Sequence, residues 1–431
     1  MVDDKPVHEI VESAPEEEDF LETNEIAEEI GEDADDIVPE DDDDGDHDMN
    51  VDGEGENVLE IDLSNNSWTY FDQHEDSVFT ITAHPSLPMV VTGAADHKAK
   101  LWTTHKQPPT FVSDINGHKE SVIAAKFTFN GEFLITGDMA GNIQVTKASK
   151  SGEKWDQFGE LNEVEEVLWI ETHPSLLYFA FGAVDGSVWV YQIDKSSKSL
   201  VNIMSGYSHT LDCTGGVFIE SNDENNLNLV TISEEGSVVS WNCFTSAINY
   251  KLQPHVDFKG VESPWVTIQN NKNIIAIGGR NGQLSIINND SGKVVHSMMT
   301  LDGAEDQAEL SVEALSWCKA PSLNILAVGL VHGDIFLFDT KLWRLRNSIK
   351  VDKHPDYENA ITKLQFIGQT PYLVGSSSNG KVYKWDVRTG EQLFVGVGHN
   401  MPIFDFAILD NGKKIATAGD EGVSLVFEHA Q

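Results

Sequence analysis

The sequence predicts an all-β fold in which one unit recurs eight times behind an acidic, disordered N-terminal arm. Three observations carry that reading. Short apolar, β-branched runs separated by Gly, Asn, Asp and Ser fill the chain from about Trp68 onward, and helical periodicity is scarce. One stretch, "MVVTGAADHKAKLW", returns in altered form at intervals of roughly 40–50 residues, the spacing of repeat architectures. Charge is segregated: of the 71 Asp and Glu in 431 residues, 26 lie in the first 56, against one Lys.

The arm comes first. Residues 1–56 hold almost no aromatic residue and include the low-complexity run "PEDDDDGDHDMN". Such a segment cannot bury enough apolar area to offset its ordering entropy, so disorder is expected, with "FLETNEIAEEI" (20–30) as a transient helix at most. It serves as a solubilising arm or as an electrostatic lure for a basic partner. The arm accounts for −25 of the formal charge of −43, so the remainder is itself acidic, at −18. A chain of this charge is repelled by nucleic acid and anionic lipid, and basic partners suit it. The opening "MVDDKPVHEI" lacks the basic and apolar regions of a signal peptide. No apolar run approaches the roughly 20 residues that span a bilayer. Cys213, Cys243 and Cys318 are far apart, with no CxxC pair. The expectation is a cytoplasmic protein in a reducing compartment, without zinc or another cofactor.

The repeats follow. The first copy ends at Trp102. "FLITGDMAGNIQVT" is a weak second copy, and "LYFAFGAVDGSVWVY" ends at Tyr191. "LVTISEEGSVVSW" ends at Trp241, "IAIGGRNGQLSII" at Ile287 and "ILAVGLVHGDIFLF" at Phe338. "LVGSSSNGKVYKW" ends at Trp385 and "IATAGDEGVSLVF" at Phe427. Strand–turn–strand units of this period ending in Trp or Trp-Asp, as in "KVYKWDVRTG", resemble the WD-repeat family. That resemblance implies a single eight-bladed β-propeller over residues 57–431, each blade a four-stranded sheet.

The same resemblance gives the Asp-His pair of "GAADHKAKLW" a mechanical role. A His before the first strand, a Ser or Thr in the second, an Asp in the tight turn and a Trp in the third form a buried hydrogen-bond chain in that family. The matching positions are His74, Thr92, Asp96 and Trp102, and His97 takes the usual Gly place. The set decays elsewhere. His118 and His399 follow Gly, but Thr146 and Phe427 stand where Trp belongs, and Asn281 and Asn379 replace the turn Asp. The motif is weakest around 140–165 and 250–265.

Closure requires a further strand. "GVSLVFEHAQ" supplies the third strand of the last blade, so the fourth is expected from residues 67–71 of "SWTYFDQHEDSV", removing exposed sheet edges. "NVLEIDL" could add to it.

Catalytic signatures are missing: no P-loop, no GxSxG, no HExxH. "GGRNG" (278–282) is read as a turn between strands, because no Lys-Ser/Thr and no helix follow. His84 and His173, in "HPSLP" and "HPSLL", occupy equivalent hairpin places and mark turns. The reading is a binding protein, not an enzyme.

Acids recur in the loops leading into first strands and in the turns after second strands, which share one propeller face. Glu75 and Asp76 precede the first copy, Glu120 the second, and Glu165 and Glu166 the third. Glu309 and Glu313 flank "SV" in the sixth. Asp138, Asp185, Glu234, Glu235, Asp420 and Glu421 lie in turns. A charge run is usually a solvated face, but acids at equivalent places around one axis make a field that steers a basic ligand. The partner-binding set is therefore Glu75, Asp76, Glu120, Glu165, Glu166, Glu313, Asp420 and Glu421. Acidity alone does not separate a ribosomal protein from a histone, or from another scaffolded partner.

"SNNSWTYFDQHEDSVF", "LWTTHKQPP", "SWNCFTS", "VGHNMPIFDF" and "AGDEGVSLVFE" are more specific than a generic repeat. With the acidic arm, they resemble the fungal ribosome-assembly WD-repeat proteins that escort one large-subunit ribosomal protein; the angio-associated migratory cell protein of animals is a wider relative. The resemblance implies a monomeric chaperone holding the basic N-terminal segment of ribosomal protein L-ten (yeast naming) on the acidic face.

Overall fold

The computed structural model describes residues 64–219, 226–258, 263–301, 310–351 and 359–429. The chain divides into two units, Met1–Leu59 and Glu60–Gln431, and every described residue belongs to the second. The expected acidic arm, residues 57–63 and Glu309 lie outside the described residues.

The second unit is an eight-bladed β-propeller of antiparallel four-stranded sheets. Blade 1 comprises Val78–Ala83, Met89–Ala94, Ala99–Thr103 and Phe111–Ile115. The first strands of blades 2 to 7 are Val122–Phe127, Val167–Thr172, Gly215–Phe218, Trp265–Asn271, Val312–Trp317 and Ile361–Phe366. Blade 8 is Ile403–Leu409, Lys414–Gly419 and Ser424–Glu428, completed by Thr69–Phe71 from the other end of the chain.

The second strands read as continuous apolar runs because both their faces are covered. Met89–Ala94 and Phe133–Asp138 are buried along their whole length. Among the described residues the apolar core falls into eight clusters, each lying between two consecutive blades. No blade buries both faces alone, so the ring stands or falls as a unit.

Closure is built from specific contacts. Thr69, Tyr70 and Phe71 pair with Val426, Leu425 and Ser424. Phe71 is buried and stacks on Trp102 of blade 1, ring centroids 4.8 Å apart. The Asn66 side chain donates to Val395 O (2.8 Å) and accepts from Val397 N–H (2.9 Å), which ties the strap to blade 7.

First strands share a further feature. In seven of the blades the pairing with the second strand slips by one residue at the second position, a β-bulge. The bulged residues are Phe79, Ile123, Leu168, Val266, Glu313, Thr362 and Phe404. Phe79 and Phe404 meet at 5.6 Å, so the bulges of blades 1 and 8 face each other at one end of the ring.

Candidate functional site

The turn after each second strand abuts the loop leading into the next blade. His97, held at φ 60°, reaches Glu120 at 3.6 Å. Its counterparts in the other blades are glycines at positive φ, and a Cβ on Gly141 would sit 1.8 Å from Val164 O. A side chain is excluded there by the backbone itself. The same turn-to-loop contact closes the circle at Gly186, Gly236, Gly282, Gly333 and Gly380, and finally at Gly422 against Asp76. All these turns and loops therefore lie on one face of the ring.

Much of that face is held from beneath by buried polar chains. In blade 1 the Trp102 indole N–H donates to Thr92 Oγ1 (3.2 Å), which lies 2.8 Å from His74 Nε2, while His74 Nδ1 is 2.9 Å from Asp96. Asp96 accepts the backbone N–H of Lys98 (3.1 Å) and Glu75 (3.3 Å). Burial depresses the His74 pKa despite Asp96 beside it, so the ring is neutral: Nδ1 donates to Asp96 and Nε2 accepts from Thr92. Each buried side chain of this four-residue network then has a partner, and the turn is pinned.

Three other blades keep this device with altered parts. In blade 4, Trp241, Thr231 and His209 repeat the chain at 2.9 and 2.8 Å, and Ser237 relays His209 to Glu235 at 2.7 and 2.5 Å. Burial pushes the His209 pKa down to about 4. In blade 2, His118 meets Thr136 (2.8 Å) and Asp138 (3.3 Å). In blade 8, His399 meets Thr417 (2.6 Å) and Glu421 (2.5 Å).

These chains engage three acids of the turns. Asp138 does not face solvent: its side chain is fully buried. Burial alone would raise its pKa, but hydrogen bonds from His118, the Lys119 N–H and Asn142 hold it down at about 2. Glu235 is tied to Ser237 and Thr210. Glu421, expected among the partner-binding acids, is the blade 8 counterpart of Asp96 and still lies on the surface, its side chain 26% exposed. Asp420, next to it, accepts from Ser77 Oγ at 2.6 Å across the closing seam.

The remaining acids are on the surface. Glu75, Asp76, Glu120, Glu163, Glu165 and Asp185 are exposed; Glu166, Asp212 and Asp420 are partly so. Among the described residues they form an arc over blades 8, 1, 2, 3 and 4, whereas the turns of blades 5 to 7 carry Arg280, His332 and Asn379. Glu313 stands apart from the loops, at the first-strand bulge position that Phe79, Ile123, Leu168, Val266 and Phe404 occupy in other blades. Sequence reading missed Glu163, which accepts from Tyr191 Oη at 2.9 Å. It also missed the apolar ring, and the exposed Met139, Tyr207, Leu211 and Met401 on the same face. An acidic arc around apolar positions matches a basic chain that carries apolar side chains.

Below the mouth, ion pairs join blades. Lys126 contacts Glu171 at 3.0 Å, and Lys363 contacts Asp405 at 2.5 Å. Asp405 also accepts Ile81 N–H at 3.0 Å, linking blade 8 to blade 1. The histidines of the two "HPSL" hairpins cap turns, as read: His84 Nδ1 accepts Leu87 N–H (2.9 Å) and His173 Nδ1 accepts Leu176 N–H (3.0 Å). The three cysteines are buried, and burial pushes the Cys213 and Cys243 thiols up to about 12, far from a reactive thiolate. Among the described residues no group of three His, Cys, Asp or Glu could hold a metal ion. No helix among them is long and apolar enough to cross a membrane.

Comparison with known proteins places this architecture. Residues 65–103 and 109–146 match the WD domain, G-beta repeat. The chain is 44% identical to the Ribosome assembly protein SQT1 of Saccharomyces cerevisiae over 414 residues, 91% of this chain and 93% of that protein. It is 25% identical to the human Angio-associated migratory cell protein, over 83% of this chain and 79% of that one. The crystal structure of Saccharomyces cerevisiae Sqt1 superposes with a TM-score of 0.79 at 42% identity, covering 86% of this chain and 100% of that one. Chaetomium thermophilum Sqt1 bound to the N-terminus of the ribosomal protein L10 superposes with a TM-score of 0.75 at 28% identity, covering 85% and 100%.

Proposed function

Because the chain belongs to the Sqt1 family of ribosome assembly proteins, we propose that it is a cytoplasmic chaperone for the newly made large-subunit ribosomal protein L10. It holds the basic N-terminal segment of L10 on the acidic face of the propeller. The observation that carries this reading is the acidic arc on the same kind of propeller that binds the L10 N-terminus in Chaetomium thermophilum Sqt1. A ribosomal protein presents dense Lys and Arg meant for RNA. Off the ribosome those charges invite aggregation and wrong nucleic-acid contacts, and an acidic surface masks them until RNA competes them away. The role is binding, with no catalytic step.

Glu75, Asp76, Glu120, Glu165, Glu166 and Asp420 supply the long-range field, and Glu313 adds a carboxylate at the mouth. Glu421, exposed beside Asp420, adds to that field as well as holding its turn. Exposed charges act through solvent, so salt weakens the complex within a Debye length of about 8–10 Å. The test is a titration of a synthetic L10 N-terminal segment into the full chain and its Glu120→Lys, Glu165→Lys and Glu313→Lys variants, at low and moderate salt. Like-charge juxtaposition costs several kcal/mol, so each reversal lowers affinity by about tenfold or more. Reversals that bind like the parent, with little salt effect, reduce the acids to a solubilising role. Capture of histones in preference to L10 from an extract replaces the client.

A further inference from the structure

The chain has four arginines among its 28 basic residues. Two are paired with acids: Arg280 lies 3.3 Å from Glu234, and Arg388 lies 2.5 Å from Asp386. The other two, Arg344 and Arg346, lie together on the outer strand of blade 6, Arg344–Lys350. Neither makes an ion pair among the described residues. Lys350 on the same strand is only loosely held, 3.9 Å from Asp334 with its side chain 73% exposed. The nearest acid, Asp339, lies opposite Arg344 and accepts the N–H groups of Lys341 and Leu342 (2.9 Å each). These hydrogen bonds, with a smaller contribution from the charges of Arg344 and Arg346, hold its carboxyl below the usual range, but neither guanidinium is within ion-pair distance of it.

The strand itself is unusual. It is the edge of its sheet, so one row of its backbone N–H and C=O groups has no neighbouring strand. Its first five residues are exposed in succession, whereas every other outer strand alternates or sinks within three. Leu345 on it and Leu342 before it are 49% and 61% exposed. It carries three bases and no acid, in a chain of net charge −43.

Charged side chains commonly blunt a sheet edge against aggregation, and Lys is the usual choice. Acids would serve this chain equally well, and the outer strand of blade 2, with Asp156 and Glu160, uses them. Arginine offers a planar fork that grips a carboxylate with two parallel hydrogen bonds. Arg346 is the residue bulged out of the pairing with the third strand and Arg344 stands opposite Asp339, so the two forks project from an open edge where an extended chain can lie beside them.

We infer that the outer edge of blade 6 is a strand-addition site for an acidic, extended segment of a partner protein. Arg344, Arg346 and Lys350 pair its carboxylates, and Leu342 and Leu345 seat an apolar side chain. The site is separate from the acidic face and of opposite charge, so the propeller can hold a basic client and an acidic partner at once.

The experiment is fluorescence anisotropy of the full chain with labelled Glu-Val-Glu-Val-Glu-Val-Glu, at about 0.05 M and about 0.3 M salt. The expected result is saturable binding that weakens several-fold with salt. The Arg344→Glu/Arg346→Glu double variant weakens it about tenfold or more, and the same peptide N-methylated at alternate backbone nitrogens does not bind. The L10 segment binds the double variant as it binds the parent, which shows that the variant is folded; Arg344→Gln/Arg346→Gln serves if it is not. Absence of saturable binding, or equal binding by the double variant, overturns the inference. Undiminished binding of the N-methylated peptide overturns strand addition, and tighter binding of oligouridylate of equal charge assigns the patch to a phosphate backbone.

Discussion

Blades 1 and 8 are neighbours that solve one problem with different residues. Both suspend a tight turn from a His that also grips a threonine in the second strand: His74 and Thr92 in blade 1, His399 and Thr417 in blade 8. Blade 1 finishes the chain with Asp96 at the turn and Trp102 in the third strand. Blade 8 uses Glu421 and Phe427, and Phe427 has no N–H to give. The acid can be lengthened and the indole dropped without losing the His–Thr core, so that core holds the turn and the ends are adjustable. What Trp102 adds is packing. Its ring is the stacking surface for Phe71, the buried anchor of the strap that closes blade 8. The two blades are thus coupled: the third strand of one is the floor for the closing strand of the other.

The largest effect comes from breaking that coupling. Deleting residues 1–72 removes Phe71, exposes the Ser424–Glu428 edge and uncovers Trp102. Losing a buried Phe alone costs about 3–5 kcal/mol, and the open edge adds a route to aggregation. Deleting residues 1–56 leaves the strap in place and should leave the melting temperature unchanged. Equal melting temperatures for the two truncations would show that blade 8 does not depend on its borrowed strand.

Acid is the next perturbation, and it extends the comparison to blade 4. Burial lowers the pKa of His74, and lowers those of His173, His209 and His429 to about 4. A histidine whose folded pKa lies below its unfolded value of about 6.5 takes up its proton preferentially in the unfolded state. Its contribution is therefore fully present above about pH 6.5 and is lost as the pH falls toward 4. Asp138 adds a second loss between about 3.8 and 2, where the unfolded carboxyl is protonated and the folded one is not. Melting temperature should be flat above neutrality and fall steeply below pH 6.5. His209→Gln should lower the plateau and flatten the slope, and an unchanged slope would assign acid sensitivity elsewhere.

How much of this was legible in the sequence depends on distance along the chain. Blade number, the strap at 67–71 and the set His74–Thr92–Asp96–Trp102 are local patterns, and blade 1 has the family residue at every place. The roles of Asp138, Glu235 and Glu421 were not legible by counting charges in turns. Whether a turn acid faces solvent depends on a His that only the fold sets opposite it. One signal was available. The His precedes its Thr by 18 residues in blades 1, 2 and 8, and a looser search would have caught His209, 22 residues before Thr231. The apolar mouth was hidden because a bulge breaks the alternation by which a strand's faces are read.

Smaller effects measure the adjustable ends. Asp96→Ala leaves the buried His74 Nδ1–H without its acceptor and frees two exposed backbone N–H groups, at a cost of about 1–3 kcal/mol. Glu421→Ala removes the corresponding acid where water enters more easily, and should cost less, about 1 kcal/mol or under. Denaturant midpoints at constant m-value give both numbers. If Glu421→Ala costs more than Asp96→Ala, exposure does not set the value of the turn acid.

Trp102→Phe gives the smallest effect and the sharpest comparison, because it converts the end of the blade 1 chain into that of blade 8. The substitution deletes the indole N–H that Thr92 accepts at 3.2 Å, yet Thr92 keeps His74 at 2.8 Å, so no buried polar atom loses its last partner. An aromatic ring remains beneath Phe71. What is lost is one neutral hydrogen bond, about 0.5–1.5 kcal/mol, and part of the stacking area. Trp102→Ala removes the ring as well and should cost about 3–5 kcal/mol. The ratio of the two separates the indole's packing from its hydrogen bond. If Trp102→Phe is as damaging as Trp102→Ala, the N–H carries the site, and blade 8 must stabilise its Phe427 by a route that blade 1 does not share.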